Sequence, residues 1–92
     1  MILALAPPFP RHYRLLSKSE QQPCDSAVEA LPFAFGQPHR HVGLGLRSLR
    51  RGVYECRASP ALRIGFTRHG DRLLLHTVGS HDTIRRWLRV NC

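Results

Sequence analysis

Two arginines stand in the second half of the sequence at a spacing that suits phosphate chemistry. Side chains alternate across a strand, so in the stretch VYECRASPALRIGF, Glu55 and Arg57 share one face. A tight turn at Pro60 then makes Arg57 and Arg63 cross-strand neighbours. Adjacent guanidinium groups repel one another unless an anion lies between them, and each can bind phosphate oxygens bidentately. The pattern predicts a phosphate site; the alternative is that both are solvated residues on a half-exposed face.

His81 follows the last predicted strand, in the step Val-Gly-Ser-His-Asp at a helix start. A helix N-terminus favours a bound anion, because its first backbone N–H groups have no partner within the helix. An imidazole beside a phosphate is suited to general acid–base work on RNA. The alternative is a local role, in which His81 only bonds nearby backbone.

Metal binding is not predicted. His39 and His41 form a His-x-His pair around Arg40, but no Asp, Glu or Cys lies near enough in sequence to complete a site. The three cysteines (Cys24, Cys56 and Cys92) are widely spaced, without a Cys-x-x-Cys pair. This spacing indicates reduced thiols rather than a disulfide framework or a zinc site.

The charge of the chain narrows the choice of partner. Its 92 residues include 14 Lys and Arg against 6 Asp and Glu, which gives a formal net charge of +8. Such an excess on a small domain is typical of proteins that bind nucleic acid, an acidic protein or an anionic membrane surface. Almost all the basic residues are arginine, a bias that a GC-rich coding sequence would also produce.

Nothing in the sequence points to a membrane or a secretory route. The apolar start MILALAPPFP lacks a basic region before it and is too short for a signal sequence. No apolar run approaches the roughly 20 residues that a membrane span needs. We therefore expect a cytoplasmic protein that uses no metal and no small-molecule cofactor.

The first half of the chain predicts a strand and a helical hairpin. Residues 2–6 form an apolar run that Pro7 and Pro8 end, as expected of a strand. Residues 11–22 predict an amphipathic helix that Pro23 ends. Asp25 is a suitable N-cap for a second helix, over residues 25–31, which Pro32 ends.

The second half predicts three antiparallel strands and a helix. Residues 33–52 form a long connection, part of which is compatible with a further strand. The strands are predicted at 53–58, 62–68 and 72–78, joined by turns at Ser59-Pro60-Ala61 and His69-Gly70-Asp71. Ser80 is the predicted N-cap of the last helix. The expected fold is a single α+β domain over residues 1–92, with its helices packed on one face of the sheet.

A family resemblance lies in the sequence from Leu46 onward, LRSLRRGVYECRASPALRIGFTRHGDRLLLHTVGSHDTIRRWL. It resembles the RelE/ParE superfamily of type II toxin–antitoxin toxins, and within it the RelE and YafQ-type mRNA endonucleases. The specific parts are the Tyr-x-x-Arg strand, the Leu-Arg-Ile strand and the Val-Gly-Ser-His-Asp step. The first half matches only in pattern, as part of a RelE-like β-α-α-β-β-β-α order.

The resemblance implies roles for four residues. Arg63 matches the arginine that contacts the scissile phosphate, and Arg57 falls at a position that is basic or histidine in the family. His81 matches a residue that is histidine in YafQ-like members and arginine in RelE-like ones. Glu55 replaces a lysine of RelE-like members and is a lesser candidate for the general base. The C-terminal tyrosine of RelE-like members has no clear counterpart, Trp87 being the nearest aromatic residue.

The implied activity is metal-independent cleavage of mRNA on the ribosome, by attack of a ribose 2′-hydroxyl on the adjacent phosphate. The implied partner is an acidic antitoxin that covers the basic face. Six further arginines are candidate RNA contacts: Arg40, Arg47, Arg50, Arg51, Arg68 and Arg85. Two alternatives stay open: a ParE-like inhibitor of DNA gyrase, and a basic RNA-binding or antitoxin-binding module without catalysis.

Overall fold

The computed structural model describes residues 1–37 and 43–90. In chain order, the elements there are β1 (Ile2–Leu5), α1 (Pro8–Arg14), α2 (Lys18–Ala34), β2 (Arg47–Arg50), β3 (Val53–Ser59), β4 (Leu62–His69), β5 (Arg72–Gly79) and α3 (His81–Val90). The strands form one sheet in the order β1-β5-β4-β3-β2. β1 is parallel to β5, and the other pairs are antiparallel. The predicted α+β class is confirmed, and β2 adds a strand within the predicted connection.

The predicted boundaries of the two N-terminal helices are wrong, because α1 ends at Arg14 and the N-cap of the long helix is Ser17 rather than Asp25. The Ser17 hydroxyl accepts a hydrogen bond from the Glu20 N–H at 3.2 Å, and the Glu20 carboxylate accepts one from the Ser17 N–H at 2.9 Å. This capping box satisfies two donors that a helix start otherwise leaves unpaired. Pro23 and Pro32 lie inside α2 and do not end it.

Burial explains how α2 tolerates two prolines. Each proline removes one backbone donor from the helix. Cys24, Ala27 and Leu31 nevertheless lie on one face of α2 and are almost fully buried against the sheet. The apolar area that they remove from water offsets the lost hydrogen bonds. Tertiary packing has therefore overridden a local signal that normally ends a helix.

The core between α2 and the sheet also holds the described cysteines. Cys24 belongs to the same buried cluster as the sheet residues Cys56, Ile64 and Phe66. Burial is the main cause that raises the pKa of Cys24 to about 11 and the pKa of Cys56 to about 12. Both thiols are free and protonated at neutral pH, so they pack as small apolar groups.

α3 packs on the opposite face of the sheet from α2, so the prediction that all helices share one face is wrong. Gly65 permits the close contact between α3 and this face. A Cβ built on Gly65 would point at the Trp87 ring, only 2.7 Å from two of its carbons. The missing side chain leaves room for the indole and lets α3 lie close to β4. Ser80 caps this helix as predicted, its hydroxyl accepting from the Thr83 N–H at 3.2 Å.

No helix in the described part of the chain is both long and apolar enough to cross a membrane.

Candidate active site

The strand register brings Arg57, Arg63 and His81, three of the four predicted catalytic residues, to one end of the sheet. Arg57 of β3 pairs with Arg63 of β4, which pairs in turn with Gly79 of β5. His81 follows Gly79 by two residues and begins α3, with its side chain exposed. The predicted pairing of Arg57 with Arg63 is therefore confirmed. The face that carries these arginines is the one on which α3 packs, and we call it the α3 face.

Arg57 is exposed to solvent, and its stem lies against the loop before β2. A Cβ built on Gly45 would lie 3.3 Å from Arg57 Cγ, and Gly45 has a φ of +55°, which disfavours other residues. The backbone at Gly45 therefore packs along the stem of Arg57 and leaves its guanidinium group on the surface.

Glu55 supplies a negative charge to this face. Its carboxylate oxygen Oε2 accepts a hydrogen bond from Arg63 Nη1 at 2.9 Å and lies 3.3 Å from Arg47 Nε. The Glu55 side chain is 2% exposed, and that of Arg63 is 15% exposed. The expectation that only a bound anion could balance Arg57 and Arg63 is thus wrong for Arg63, because an internal carboxylate already neutralises part of its charge.

The ion pair leaves Arg63 with unused bonding capacity. A guanidinium group has five N–H donors, and the Glu55 carboxylate takes one of them from Nη1. The Nε atom of Arg63 is buried and has no hydrogen-bond partner among the described residues. Arg63 is therefore held in place by Glu55, and an incoming acceptor could reach its buried Nε only if the side chain moved. Glu55 itself is enclosed, which leaves it little access to a substrate.

The other arginines predicted to contact RNA are not on one surface. Arg47, Arg50, Arg51 and Arg85 are exposed, the first three on β2 and its turn to β3 and the last on α3. Arg68 lies on the α2 side of the sheet, with its guanidinium carbon 5.5 Å from the centre of the Phe35 ring.

Arg68 also donates from Nε to the Gly70 carbonyl at 2.9 Å. It therefore cannot join the arginines of the α3 face. The prediction for Arg40 lies outside the described residues, as do His39 and His41 of the His-x-His pair. In residues 1–37 and 43–90, no group of three possible metal ligands is present.

The α3 face also carries two histidines, His69 and His76, which the sequence did not link to α3. The Thr67 hydroxyl lies 2.8 Å from Nε2 of both His69 and His76. The His76 and Trp87 rings are 5.4 Å apart and tilted by 36°. Burial, followed by the nearby charge of His69, lowers the pKa of His76. The register shift between β4 and β5 at Gly65/Phe66 places His76 here, and a strict alternation in sequence does not reveal it.

Solved structures share the fold of this chain, whereas the two sequence comparisons found no match. No protein-family model matches the sequence, and a search of curated proteins gives no significant match. The fold is similar to that of the DinJ-YafQ complex from E. coli, with a TM-score of 0.69 and 14% identity over 89% of this chain and 94% of that one.

Two RelE-RelB complexes are also similar. The RelB-RelE complex from Methanococcus jannaschii matches with a TM-score of 0.68 and 14% identity, over 90% of this chain and 95% of that one. The RelE-RelB complex from Pyrococcus horikoshii matches with a TM-score of 0.65 and 9% identity, over 86% of this chain and 92% of that one. The protein described here therefore has the fold of the RelE and YafQ toxins, as the sequence resemblance implied.

Proposed function

We propose that the protein is the toxin of a type II toxin–antitoxin system and cleaves mRNA on the ribosome without a metal, which inhibits translation. The observation that carries this proposal is the row formed by Arg57, Arg63 and Gly79, with His81 at the start of the adjoining helix. This register supports the proposal because it puts the backbone positions of two arginines and a histidine at the same end of the sheet.

In this proposal the reaction begins with attack of a ribose 2′-hydroxyl on the adjacent phosphorus. The P–O5′ bond then breaks, which leaves a cyclic phosphate and a free 5′-hydroxyl. Arg57 and Arg63 stabilise the negative charge that develops on the phosphate oxygens. His81 either gives a proton to the leaving 5′-oxygen while water takes the proton of the 2′-hydroxyl, or takes the 2′-hydroxyl proton while water protonates the leaving oxygen.

Glu55 is assigned a positioning role rather than that of the general base. Its carboxylate is enclosed and bound by Arg63 and Arg47, so it orients Arg63 toward the substrate instead of meeting the 2′-hydroxyl. The exposed Arg50, Arg51 and Arg85 are proposed to contact the RNA backbone.

The proposed partner is an acidic antitoxin. The net charge of +8 favours a negatively charged protein that competes with RNA for the basic surface. Several structures of the same fold are toxin–antitoxin complexes. We propose that the protein acts in the cytoplasm, where both ribosomes and antitoxin are found.

The ion pair between Arg63 and Glu55 favours a second candidate. An arginine whose charge is already balanced is less available to a phosphate, and a protein-binding toxin of the ParE type needs no nuclease residues. In that case growth arrest would be accompanied by gyrase cleavage complexes on DNA and by intact transcripts.

The two candidates can be separated by inducing the protein in a bacterial host and mapping mRNA 5′ ends. The wild type should produce cuts within coding regions, spaced by codons, and Arg57→Ala and His81→Ala should abolish them. Arg72→Ala is the matched control, because Arg72 is exposed at the other end of β5. Growth arrest with intact transcripts would contradict the ribonuclease proposal.

Arg63→Ala needs its own control for folding. It leaves the buried Glu55 carboxylate without its main partner, which destabilises proteins by several kcal/mol. Arg63→Lys keeps a charge near Glu55 but removes the planar fork, and should reduce cleavage while the protein stays folded. A thermal melt of each variant separates loss of fold from loss of chemistry.

A further inference from the structure

A cavity separate from the predicted catalytic residues lies between α1, β5 and α3. Its volume is about 420 Å³, within the range of about 300–1,000 Å³ that is typical of small-molecule sites. Its walls come from the start of the chain and from its last helix, and neither Arg57 nor Arg63 nor His81 lines it.

The polar lining of this α1–α3 cavity is basic. Arg11 and His12 contribute from α1, His76 from β5 and Arg86 from α3, with no carboxylate among the described lining residues. Neither arginine forms an ion pair with a described carboxylate. A cavity with cationic groups on two sides and no counter-charge is complementary to an anion.

Both histidines of the cavity are held in fixed orientations. His12 Nδ1 lies 2.8 Å from the Thr77 hydroxyl, and His76 Nε2 lies 2.8 Å from the Thr67 hydroxyl. In each ring the second nitrogen has no hydrogen bond to a described residue, so it can bond a ligand. Because the rings are already oriented, a ligand would lose little free energy in ordering them.

Trp87 gives the cavity an aromatic wall. One part of the indole is pressed against the sheet at Gly65, and the ring also lines the cavity beside His76. An indole next to cationic groups is the combination on which proteins stack nucleobases while holding the attached phosphate. An inorganic anion alone would leave this aromatic surface unused.

We propose that the α1–α3 cavity binds one nucleoside 5′-phosphate unit, with its base on Trp87 and His76 and its phosphate between Arg11 and Arg86. The unit comes either from a free nucleotide or from one residue of a single-stranded RNA. This proposal is independent of the proposed function, because it requires no cleavage.

Trp87 is the only tryptophan of the chain, so its indole N–H gives a single, assigned reporter in a ¹⁵N-labelled protein. Titration with adenosine 5′-monophosphate should move this cross-peak saturably. Adenosine, which lacks the phosphate, and ribose 5-phosphate, which lacks the base, should each bind more weakly. A short single-stranded RNA that binds more tightly than the nucleotide identifies the strand as the source, and the reverse order identifies the free nucleotide.

Arg86→Gln should weaken nucleotide binding by about tenfold, the loss expected for one charge-assisted contact to phosphate. Arg89→Gln is the matched control, because it removes a charge from the same helix without touching the cavity, and should leave binding unchanged. Because Arg57 and His81 do not line the cavity, loss of cleavage in Arg57→Ala and loss of nucleotide binding in Arg86→Gln test the two proposals separately. An indole signal that neither probe moves, or equal losses in Arg86→Gln and Arg89→Gln, would overturn the proposal.

Discussion

The ion pair between Glu55 and Arg63 was not predicted, although the strand pattern placed both residues correctly. The alternation of side chains and the turn at Pro60 predicted that Arg57 and Arg63 would be neighbours, and they are. Glu55 pairs with Gly65 and reaches Arg63 only diagonally, through a long side chain. Such diagonal contacts depend on side-chain conformation, which the sequence pattern does not specify.

Glu55→Gln tests the positioning role proposed for this carboxylate. The amide keeps the shape of the side chain but removes the charge that holds Arg63 and Arg47. We expect the free energy of unfolding in urea to fall by about 2–4 kcal/mol, since breaking a buried ion pair leaves an uncompensated charge. Glu29→Gln, at an exposed site on α2, is the control and should change stability little. Equal stability of both variants would show that the pair contributes nothing.

His76 gives the protein a pH-dependent stability. Its pKa in the folded state is below the ordinary value, because burial and the charge of His69 disfavour the protonated ring. The unfolded chain therefore binds a proton more readily than the folded one. Stability is complete above the unfolded pKa of about 6.5 and is lost as the pH falls below it toward the folded value.

Unfolding measured in urea between pH 8 and about pH 5 checks this sign. The wild type should lose stability on acidification, and His76→Gln should have a flatter profile while remaining able to bond Thr67. A variant profile that falls as steeply as the wild type would assign the effect to other groups.

The secondary-structure elements show which sequence signals were sufficient. Turn residues and alternation located β3, β4 and β5 to within one residue of their observed ends. The two prolines of α2 gave a wrong helix boundary. Their local cost is outweighed by packing of the helix against strands that are distant in sequence. Ser17 and Glu20, three residues apart, were the better signal for the start of that helix.

Ser17→Ala measures the contribution of the capping box. We expect a loss of about 1 kcal/mol in the free energy of unfolding, typical for removal of an N-cap side chain. Ser26→Ala is the comparison, since Ser26 lies within the same helix and its hydroxyl bonds only the Gln22 carbonyl one turn earlier. A loss as large in Ser26→Ala would mean that the cap has no special role.

Gly65→Ala tests whether the close contact between Trp87 and β4 holds α3 on the sheet. The added methyl group would lie 2.7 Å from the ring, so α3 must shift or the indole must move. We expect destabilisation by about 1–3 kcal/mol and a change in the indole signal of Trp87. Gly43→Ala, where a Cβ meets nothing within 4 Å, should do neither.

Over the whole molecule, the excess positive charge is spread over both faces of the sheet, and only part of it can serve one RNA-binding surface. Strand parity already separates Arg63 from Arg68, because residues five positions apart in a regular strand point to opposite faces. The sequence therefore contained the signal that removes Arg68 from the site. Composition alone counts all these charges together and cannot make the distinction.

Salt-dependent binding to single-stranded RNA tests this division. Arg57→Gln should weaken affinity and reduce the slope of log K against log salt by roughly 0.7, the value for one phosphate contact. Arg68→Gln, whose side chain lies over Phe35 on the α2 side, should leave both unchanged. Equal effects in the two variants would mean that RNA is held by net charge alone.

The Glu55 carboxylate between Arg47 and Arg63 affects the state of this surface when no RNA is bound. Neighbouring arginines usually need a bound anion to stay ordered. Here the Glu55 carboxylate supplies that negative charge. The arginines can therefore stay ordered when no RNA is bound. A phosphate that binds Arg63 must compete with the covalently attached Glu55 carboxylate. Weak, quickly reversed engagement is the kind of binding that such an arrangement favours.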